Sequence, residues 1–407
     1  MKVVCVGGGP ATLYFSILLK LQAPAHDITV HERNPAGSTY GWGVTYWPDM
    51  LERLRRHDPH SASAISDGSL RWRDGVAHVG EHTTTHQGDE GFAIGRHRLL
   101  DILARRAESL GVTIEYGAEI PDREDLPEAD LIVAGDGANS RMRDRRSDHF
   151  GTRTTLGRNP YLWLGTTKVF TSFTFAFVET AHGWIWCYAY GYSGEHSTCV
   201  VECSTATWQG LELDRLPQAE ALRRLEGIFA SLLDGHPLIG RADLDGPAPW
   251  QTFRTLTNRT WSHGNLVLLG DAAHTTHYSI GAGTTLAMQD AMALASAVAD
   301  ADADGMTLRP ALTHYEHTRK SELLSVQSAA RHSAQWYENL PRYIHLPPAH
   351  MFALLGQRHS PLLPHVPPQL YYRVDQAADR LQSLRRLKQW LGPRLARTLQ
   401  HRSSTKG

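Results

Sequence analysis

Val3-Val4-Cys5-Val6-Gly7-Gly8-Gly9-Pro10-Ala11-Thr12 is the stretch on which the fold turns. Four consecutive apolar residues read as a buried strand, the glycines break the run, and Ala11–Leu21 then repeats its apolar residues at helical spacing. Ile28–His31 is a second strand that ends at Glu32, so the segment makes one β-α-β unit. Within it, Gly7 permits a tight turn and Gly9 lets a pyrophosphate approach the backbone at the helix N-terminus. Glu32 closes the second strand, where an acid accepts from a ribose hydroxyl. Thr12 stands where a third glycine is usual, which predicts slightly looser packing of helix on strand. The unit predicts dinucleotide binding.

The whole chain has 407 residues, enough for two or three domains. Its 41 Lys+Arg against 42 Asp+Glu argue against nucleic acid as the main partner, since phosphate backbones want a basic footprint. Four cysteines without a CxxC make neither a disulfide framework nor a zinc knuckle nor a redox pair, and no metal is expected. The glycines after Val6 exclude a signal peptide, and no 18-residue apolar run spans a membrane. The expectation is a soluble, cytoplasmic protein.

Along the chain, 35–60 is turn-rich and aromatic, and Arg96–Gly111 reads as a helix stopped by its glycine. Thr113–Tyr116 and Leu131–Ala134 read as strands. From 152 to 258 the character changes: Trp163–Lys168, Thr171–Val178, Gly183–Tyr190 and Ser197–Ser204 are β-branched and aromatic, and predict an antiparallel sheet. One helix, Gln218–Leu233, follows it. Leu266–Leu269 returns to buried-strand character, Ala282–Ala299 is a small-residue helix, and helical segments with a Pro-rich interruption at 341–368 continue onward. Asp375–Gln400 is basic and amphipathic and reads as a surface helix. The class is α/β. A Rossmann-like domain is assembled from 1–151 and 259–330, an antiparallel substrate sheet is inserted at 152–258, and a C-terminal helical region fills 331–407.

Two further motifs follow strands. Asp136-Gly137-x-x-Ser140-x-x-Arg143 makes a sharp turn held by short polar side chains, either at a nucleotide or simply as an Asx-type turn. Gly270-Asp271-Ala272-Ala273-His274, with Gly281-Ala282-Gly283-Thr284-Thr285 and Asp290-Ala291, is the more specific one. A carboxylate at a strand end accepts from a polyol such as ribityl, and the glycines open a helix whose N–H groups suit an electron-rich carbonyl edge.

The three motifs, in this order and at these separations, resemble the single-component FAD-dependent aromatic hydroxylases, over most of the first 330 residues. His277-Tyr278-Ser279-Ile280-Gly281 and Gly41-Trp42-Gly43-Val44 are similar to the salicylyl-CoA 5-hydroxylase and anthraniloyl-CoA monooxygenase branch. Gly283-Thr284-Thr285 is also similar to the tryptophan-derived hydroxylase of violacein biosynthesis. The resemblance implies that Gly7, Gly9, Pro10, Ala11, Glu32 and Arg33 hold the ADP half of FAD, and that Arg96 reaches its ribose or phosphate. It places Asp136 and Arg143 in a turn shared by FAD and NAD(P)H, Asp271 on ribityl, and Gly281, Ala282, Gly283 and Thr284 at the pyrimidine edge of the isoalloxazine.

The activity so implied consumes NAD(P)H and O₂ and hydroxylates an electron-rich ring through a C4a-hydroperoxyflavin. NAD(P)H docks transiently, since only one Gly-rich nucleotide motif exists. The partner is a small aromatic molecule, a salicyl or anthraniloyl thioester or an indole. Arg53, Arg55, Arg56, Arg71 and Arg73 are candidates for a basic rim toward a CoA handle, or are simply solvated.

His277 is a candidate base toward a phenol, aniline or indole proton, or a histidine that holds its loop. Trp42, Tyr46, Trp184, Trp186 and Tyr278, with Tyr40, are candidates for an aromatic pocket or for core. Two rival functions stay open. One is a flavoprotein that protects or channels an aromatic intermediate without hydroxylating it. The other is a flavin-dependent halogenase, disfavoured because no lysine occurs between Lys20 and Lys168.

Overall fold

A computed structural model describes residues 1–38, 41–120, 122–241 and 246–380. Tyr40 and the basic stretch beyond residue 380 lie outside the described residues. Two sheets organise the chain. Its strands are β1 (Lys2–Val6), β2 (Asp27–Glu32), β3 (Gly43–Tyr46), β4 (Leu70–Val79), β5 (His82–Gly95), β6 (Thr113–Tyr116), β7 (Leu131–Ala134) and β8 (Arg153–Thr166). They continue as β9 (Phe173–Thr180), β10 (Gly183–Gly191), β11 (Ser197–Cys203), β12 (Leu238–Ile239), β13 (Gln251–Thr257), β14 (Ser262–His263) and β15 (Leu266–Leu268).

The first sheet has the order β14-β15-β7-β1-β2-β6 and is parallel except at the β14 edge. β1 is its centre, pairing Val3 with Ile28 on one side and Leu131 on the other. That position explains the unbroken apolar run: a central parallel strand is covered on both faces. The helix Pro10–Gln22 is buried from Pro10 through Leu19 and packs on the helix Gly283–Ala303. Gly270 sits at φ +61°, and a Cβ there would stand 3.1 Å from the Ala11 Cβ and 3.4 Å from the Ala287 Cβ, so the glycine lets two helices and a strand end converge.

Thr12 does not loosen this packing. Its Oγ1 donates to the Gly7 carbonyl at 2.5 Å, and the space it needs is left by Gly135, where a Cβ would meet Oγ1 at 2.7 Å. A glycine on β7's exit replaces the glycine missing from the helix.

The second sheet runs β12-β8-β11-β10-β9-β4-β5-β3, with β13 also on β8. It therefore recruits β3, β4 and β5 from the 43–95 segment, before the 152–258 stretch that reads as the sheet in sequence. β4 joins β9 in parallel, Val76 opposite Thr174, and closes an edge that β9 would otherwise leave open. The turn-rich 35–60 stretch also holds the helix Pro48–His57 and the start of Pro59–Asp67. The single helix expected over 218–233 divides into Gln218–Ile228 and Ala230–Leu233, and the second piece stops at Asp234 in the left-handed region. One core fills the first sheet and its helices; the other lies between the second sheet and the C-terminal helices, where Trp336 and Tyr337 are buried. Among the described residues, no helix is long and apolar enough to cross a membrane.

Candidate active site

Two cavities meet between the sheets. The smaller, about 610 Å³, lies over the carboxyl ends of β1 and β2 and is lined by Gly7, Gly9, Pro10, Ala11, Glu32 and Arg33. Parallel strands end there, which is where open α/β sheets take ligands. The helix that starts at Pro10 has no side-chain cap, so its first N–H groups are left for something else. Glu32 is fixed rather than mobile. Its Oε2 accepts from the Gly8 N–H at 2.6 Å, and its Oε1 accepts from the Asn34 N–H at 2.8 Å and Nδ2 at 2.6 Å.

The larger cavity, about 820 Å³, is walled by Trp163, Phe173, Phe175, Tyr188, Tyr190 and Tyr278. Arg96, Ala138, Asn139, Asp271, Gly283 and Thr284 line both cavities and mark their junction. Asp271 is hemmed in by surrounding protein, yet its side chain is exposed into these cavities. Burial pushes its carboxyl above the ordinary value, against the pull of His274 and Arg96. Burial likewise lowers the Arg96 guanidinium, opposed by Asp271 and Glu32. The helix that starts at Gly283 has neither a side-chain cap nor an acid in its first turn, and a Cβ on Gly283 would meet open space.

The other predicted residues fall in different places. Asp136 lines the smaller cavity; its Oδ2 accepts from the N–H groups of Arg141 at 2.8 Å and Met142 at 3.3 Å, while Oδ1 is buried without a partner. Burial pushes this carboxyl up. Arg143 lines neither cavity. It is 1% exposed and donates to the carbonyls of Ala138 at 2.9 Å and Ala272 at 3.3 Å, tying the Asp136 turn to the Gly270 turn. Gly281 and Ala282 line the larger cavity.

His277 is not in the lining of either cavity. Its Nδ1 accepts from the Ser279 N–H at 3.3 Å and lies 2.9 Å from Ser279 Oγ, capping the turn Tyr278–Ile280. Burial pushes its pKa down to about 3, so the ring stays neutral. In this arrangement the ring holds the loop.

Of the aromatic candidates among the described residues, only Tyr278 lines the larger cavity. Tyr46 stacks on Phe92 at 5.3 Å and donates to Ser69, and Trp42 lies against Gly165 with its indole N–H on the Trp163 carbonyl at 3.3 Å. Trp184 and Trp186 share a strand face with Tyr188 and Tyr190, as alternation on β10 requires. The far half of that face is covered: Trp186 stacks on Tyr337 at 5.9 Å and Trp184 packs on His345 at 6.3 Å. The aromatic wall is therefore the pair Tyr188 and Tyr190, four residues further along than the pair Trp184 and Trp186.

Arg358 and His359, beyond the helix Pro348–Gly356, also line the larger cavity, and nothing in the sequence marks them. Arg358 donates to the Ser279 carbonyl at 3.1 Å. Burial, helped by Arg358, pushes His359 down to about 3. Two lining residues are exposed as well, Trp47 at 37% and Leu156 at 70%.

Comparison with known proteins matches residues 101–325 to the FAD binding domain model. The chain is 36% identical over 352 residues to salicyloyl-CoA 5-hydroxylase of a Streptomyces species, a match covering 84% of this chain and 66% of that longer protein. It is 36% identical to 3-hydroxy-4-methyl-anthranilyl-(aryl-carrier protein) 5-monooxygenase of Streptosporangium sibiricum, over 84% of this chain and 90% of the relative. Protodeoxyviolaceinate monooxygenase of Chromobacterium violaceum is 28% identical over 89% and 96%. In fold, P. aeruginosa PqsL solved with 2-aminobenzoylacetate aligns at a TM-score of 0.65, with 18% identity over 84% and 98% of the two chains.

The fold and the paired cavities define a flavoprotein oxidoreductase. The chain belongs to the FAD-binding aromatic monooxygenase family. FAD fits what is built here. The uncapped helix start at Pro10 and the Arg96 guanidinium suit a diphosphate's charge, Glu32 and Asp271 stand at strand ends where hydroxyls could donate, and the open, uncapped start at Gly283 leaves room for a ring system beside an aromatic chamber.

Proposed function

We propose that this monooxygenase hydroxylates a hydroxy- or aminobenzoyl ring carried on a thioester, held in the 820 Å³ cavity. The observation that carries the reading is an aromatic chamber that reaches Asp271 and Gly283 at its junction with the smaller cavity and has the exposed Trp47 and Leu156 in its lining. A planar ring stacks among Tyr188, Tyr190 and Phe173, while a tether leaves past an exposed part of the lining. The two relatives at 36% identity are named for acyl substrates of this kind, one on CoA and one on an aryl-carrier protein.

Bound FAD, with NAD(P)H and O₂, supplies the activated oxygen. The chain's own residues do the rest. Gly7 and Gly9 bring the backbone close to the diphosphate, and Glu32 offers its carboxylate to the ribose. Asp271 accepts from ribityl, and the Gly283 helix start presents N–H groups to the ring's carbonyl edge. Apolar walls from β8 to β11 keep water from the reacting centre.

The proposed basic rim gains little support. Arg53, Arg55, Arg56, Arg71 and Arg73 are exposed and outside the lining, and Arg55, Arg56 and Arg71 face Glu52 or Glu90. No lysine lines either cavity among the described residues, which disfavours halogenation. The test is stopped-flow flavin reduction and O₂ uptake with salicyloyl-CoA, anthraniloyl-CoA and indole, followed by product mass. Turnover of a thioester to a product heavier by one oxygen supports the reading. Turnover of indole alone removes the thioester, and ring binding without O₂ uptake favours the protein that only channels.

A further inference from the structure

Glu202 is the one charged residue in the apolar row Thr198-Cys199-Val200-Val201-Glu202-Cys203 of β11, and it is 2% exposed. An acid there is costly unless it is hydrogen-bonded and used. Its cross-strand neighbours are Tyr161 on β8 and Trp186 on β10, so it lies in the row just behind the cavity wall formed by Trp163, Val200 and Tyr188. Its two oxygens are held separately: Oε2 accepts from the Tyr278 hydroxyl at 2.6 Å, and Oε1 from the Asn159 amide at 2.8 Å. Tyr278 faces the other way as well. It lines the cavity, packed against Tyr161 at 4.4 Å, Phe253 at 5.7 Å and Tyr188 at 6.1 Å. The Tyr161 hydroxyl is committed to Gln251 at 3.0 Å, so it does not compete for the carboxylate.

We propose that Tyr278 and Glu202 form a two-residue proton relay, in which the hydroxyl proton of a bound phenolic ring passes to Tyr278 as Tyr278 passes its own to Glu202. The ring O–H bond breaks and a new O–H bond forms at Tyr278 Oη. The former Tyr278 O–H bond breaks and one forms at Glu202 Oε2. One negative charge moves from carboxylate to ring substituent, and nothing is oxidised or reduced. The charge on the substituent raises electron density on the ring that receives oxygen. Glu202 acts through Tyr278 and does not touch the ring. The proposal rests on the aromatic hydroxylation reading above.

The electrostatics support this order of transfers. Burial lifts the Glu202 carboxyl to about 7; the Tyr278 and Asn159 hydrogen bonds pull it down, and the Glu338 charge pushes it up. Burial and the Glu202 charge push the Tyr278 phenol far above its usual value, so it does not hold the charge and the two transfers are coupled. The other ionisable groups around the carboxylate are Tyr161 on β8, Tyr188 on β10, Cys203 on its own strand, and Tyr337 and Glu338 on the helix Leu308–Glu338. Burial pushes Tyr161, Tyr188, Cys203 and Tyr337 up, which leaves Glu202 as the group poised near neutrality.

The test uses the FAD-loaded full chain with salicyloyl-CoA. In the native protein, product formation rises with pH through about 7, as Glu202 loses its proton and becomes an acceptor. Bound salicyloyl-CoA shows phenolate absorption. Glu202→Gln keeps an acceptor for Tyr278 but takes no proton. It is expected to lose the pH limb and the phenolate band, with product formation down about 10²-fold, and Tyr278→Phe is expected to do the same. FAD content and the thermal midpoint report folding for each variant, and if Glu202→Gln does not fold, Tyr278→Phe decides. Native-like pH limb and phenolate band in a folded variant overturn the relay. A native protein that hydroxylates none of salicyloyl-CoA, anthraniloyl-CoA and indole overturns instead the reading on which the relay rests.

Discussion

His274 Nε2 lies 2.8 Å from Asp290 Oδ2, and the two side chains are 3% and 0% exposed. Arg319 Nε reaches the same carboxylate at Oδ1, 2.7 Å away, and also pairs with Glu322. The contact joins the turn after β15 to the Gly283–Ala303 helix and the helix behind it. Asp290→Asn leaves Arg319 buried with half its compensation, and an expected loss of about 3–5 kcal/mol is read from denaturant unfolding at pH 7. Burial opposes ionisation of Asp290, but His274 and Arg319 outweigh it and hold the carboxyl below its ordinary value. Its stabilisation is therefore present above the unfolded-state value and lost as pH falls through the folded one. The variant is expected to lack that acid limb.

His277, with its folded pKa depressed to about 3, makes the second prediction. The unfolded ring takes a proton near its ordinary value of 6.5 while the folded one does not, so its contribution is full above 6.5 and lost as pH falls toward 3. His277→Asn retains an acceptor for Ser279 and removes this titration. Thermal midpoints from pH 7 to 4 are expected to fall less in the variant than in the native protein, while the pH profile of product formation stays unchanged. A base at His277 would instead abolish turnover.

Two glycines near the same cofactor predict opposite defects. Gly7 has φ +95°, and a Cβ there would meet the Gly135 carbonyl at 2.6 Å, so Gly7→Ala is expected to destabilise the fold by about 1–3 kcal/mol. Gly283→Val places a side chain in open cavity space. Its thermal midpoint without flavin is expected to stay within about 2 °C of native, since the substitution costs under roughly 1 kcal/mol, and its FAD retention to fall at least roughly 10-fold. Flavin absorbance after gel filtration separates the two.

On β10, two aromatic residues two positions apart should answer differently. Trp186→Phe thins the core against Tyr337 and is expected to cost about 1–2 kcal/mol of stability with KM for the ring unchanged. Tyr188→Leu removes part of the chamber wall and is expected to raise that KM about 10-fold, the scale of one lost aromatic contact. Steady-state kinetics on the two variants, with unfolding curves, check both.

The cofactor half of the site is legible in sequence because its determinants are local. Gly7, Gly9 and Glu32 belong to one β-α-β unit, and Asp271 and Gly283 to one strand-to-helix junction. What is not local is not legible. Alternation puts Trp184, Trp186, Tyr188 and Tyr190 on one face, but whether a helix covers half of it depends on Trp336 and Tyr337, about 150 residues onward. β3 to β5 read as part of the first domain because their partner β9 lies roughly 100 residues away. His277 carries base-like chemistry in any sequence, and only the Ser279 amide shows that its nitrogen is in use. Glu202 did carry a signal, a lone acid inside a strand otherwise apolar and small, which burial statistics alone mark as exceptional.

Gly356, Arg358 and His359 close a chamber whose other walls come from residues 43 to 284. The cofactor cradle is finished by Ala287, whereas the wall facing the ring is not. A segment far along the chain thus helps shape the ring chamber without lining the smaller cavity. Changes at residues 356 to 359 offer selection a way to adjust one wall of the chamber while the β8 to β11 walls stay as they are.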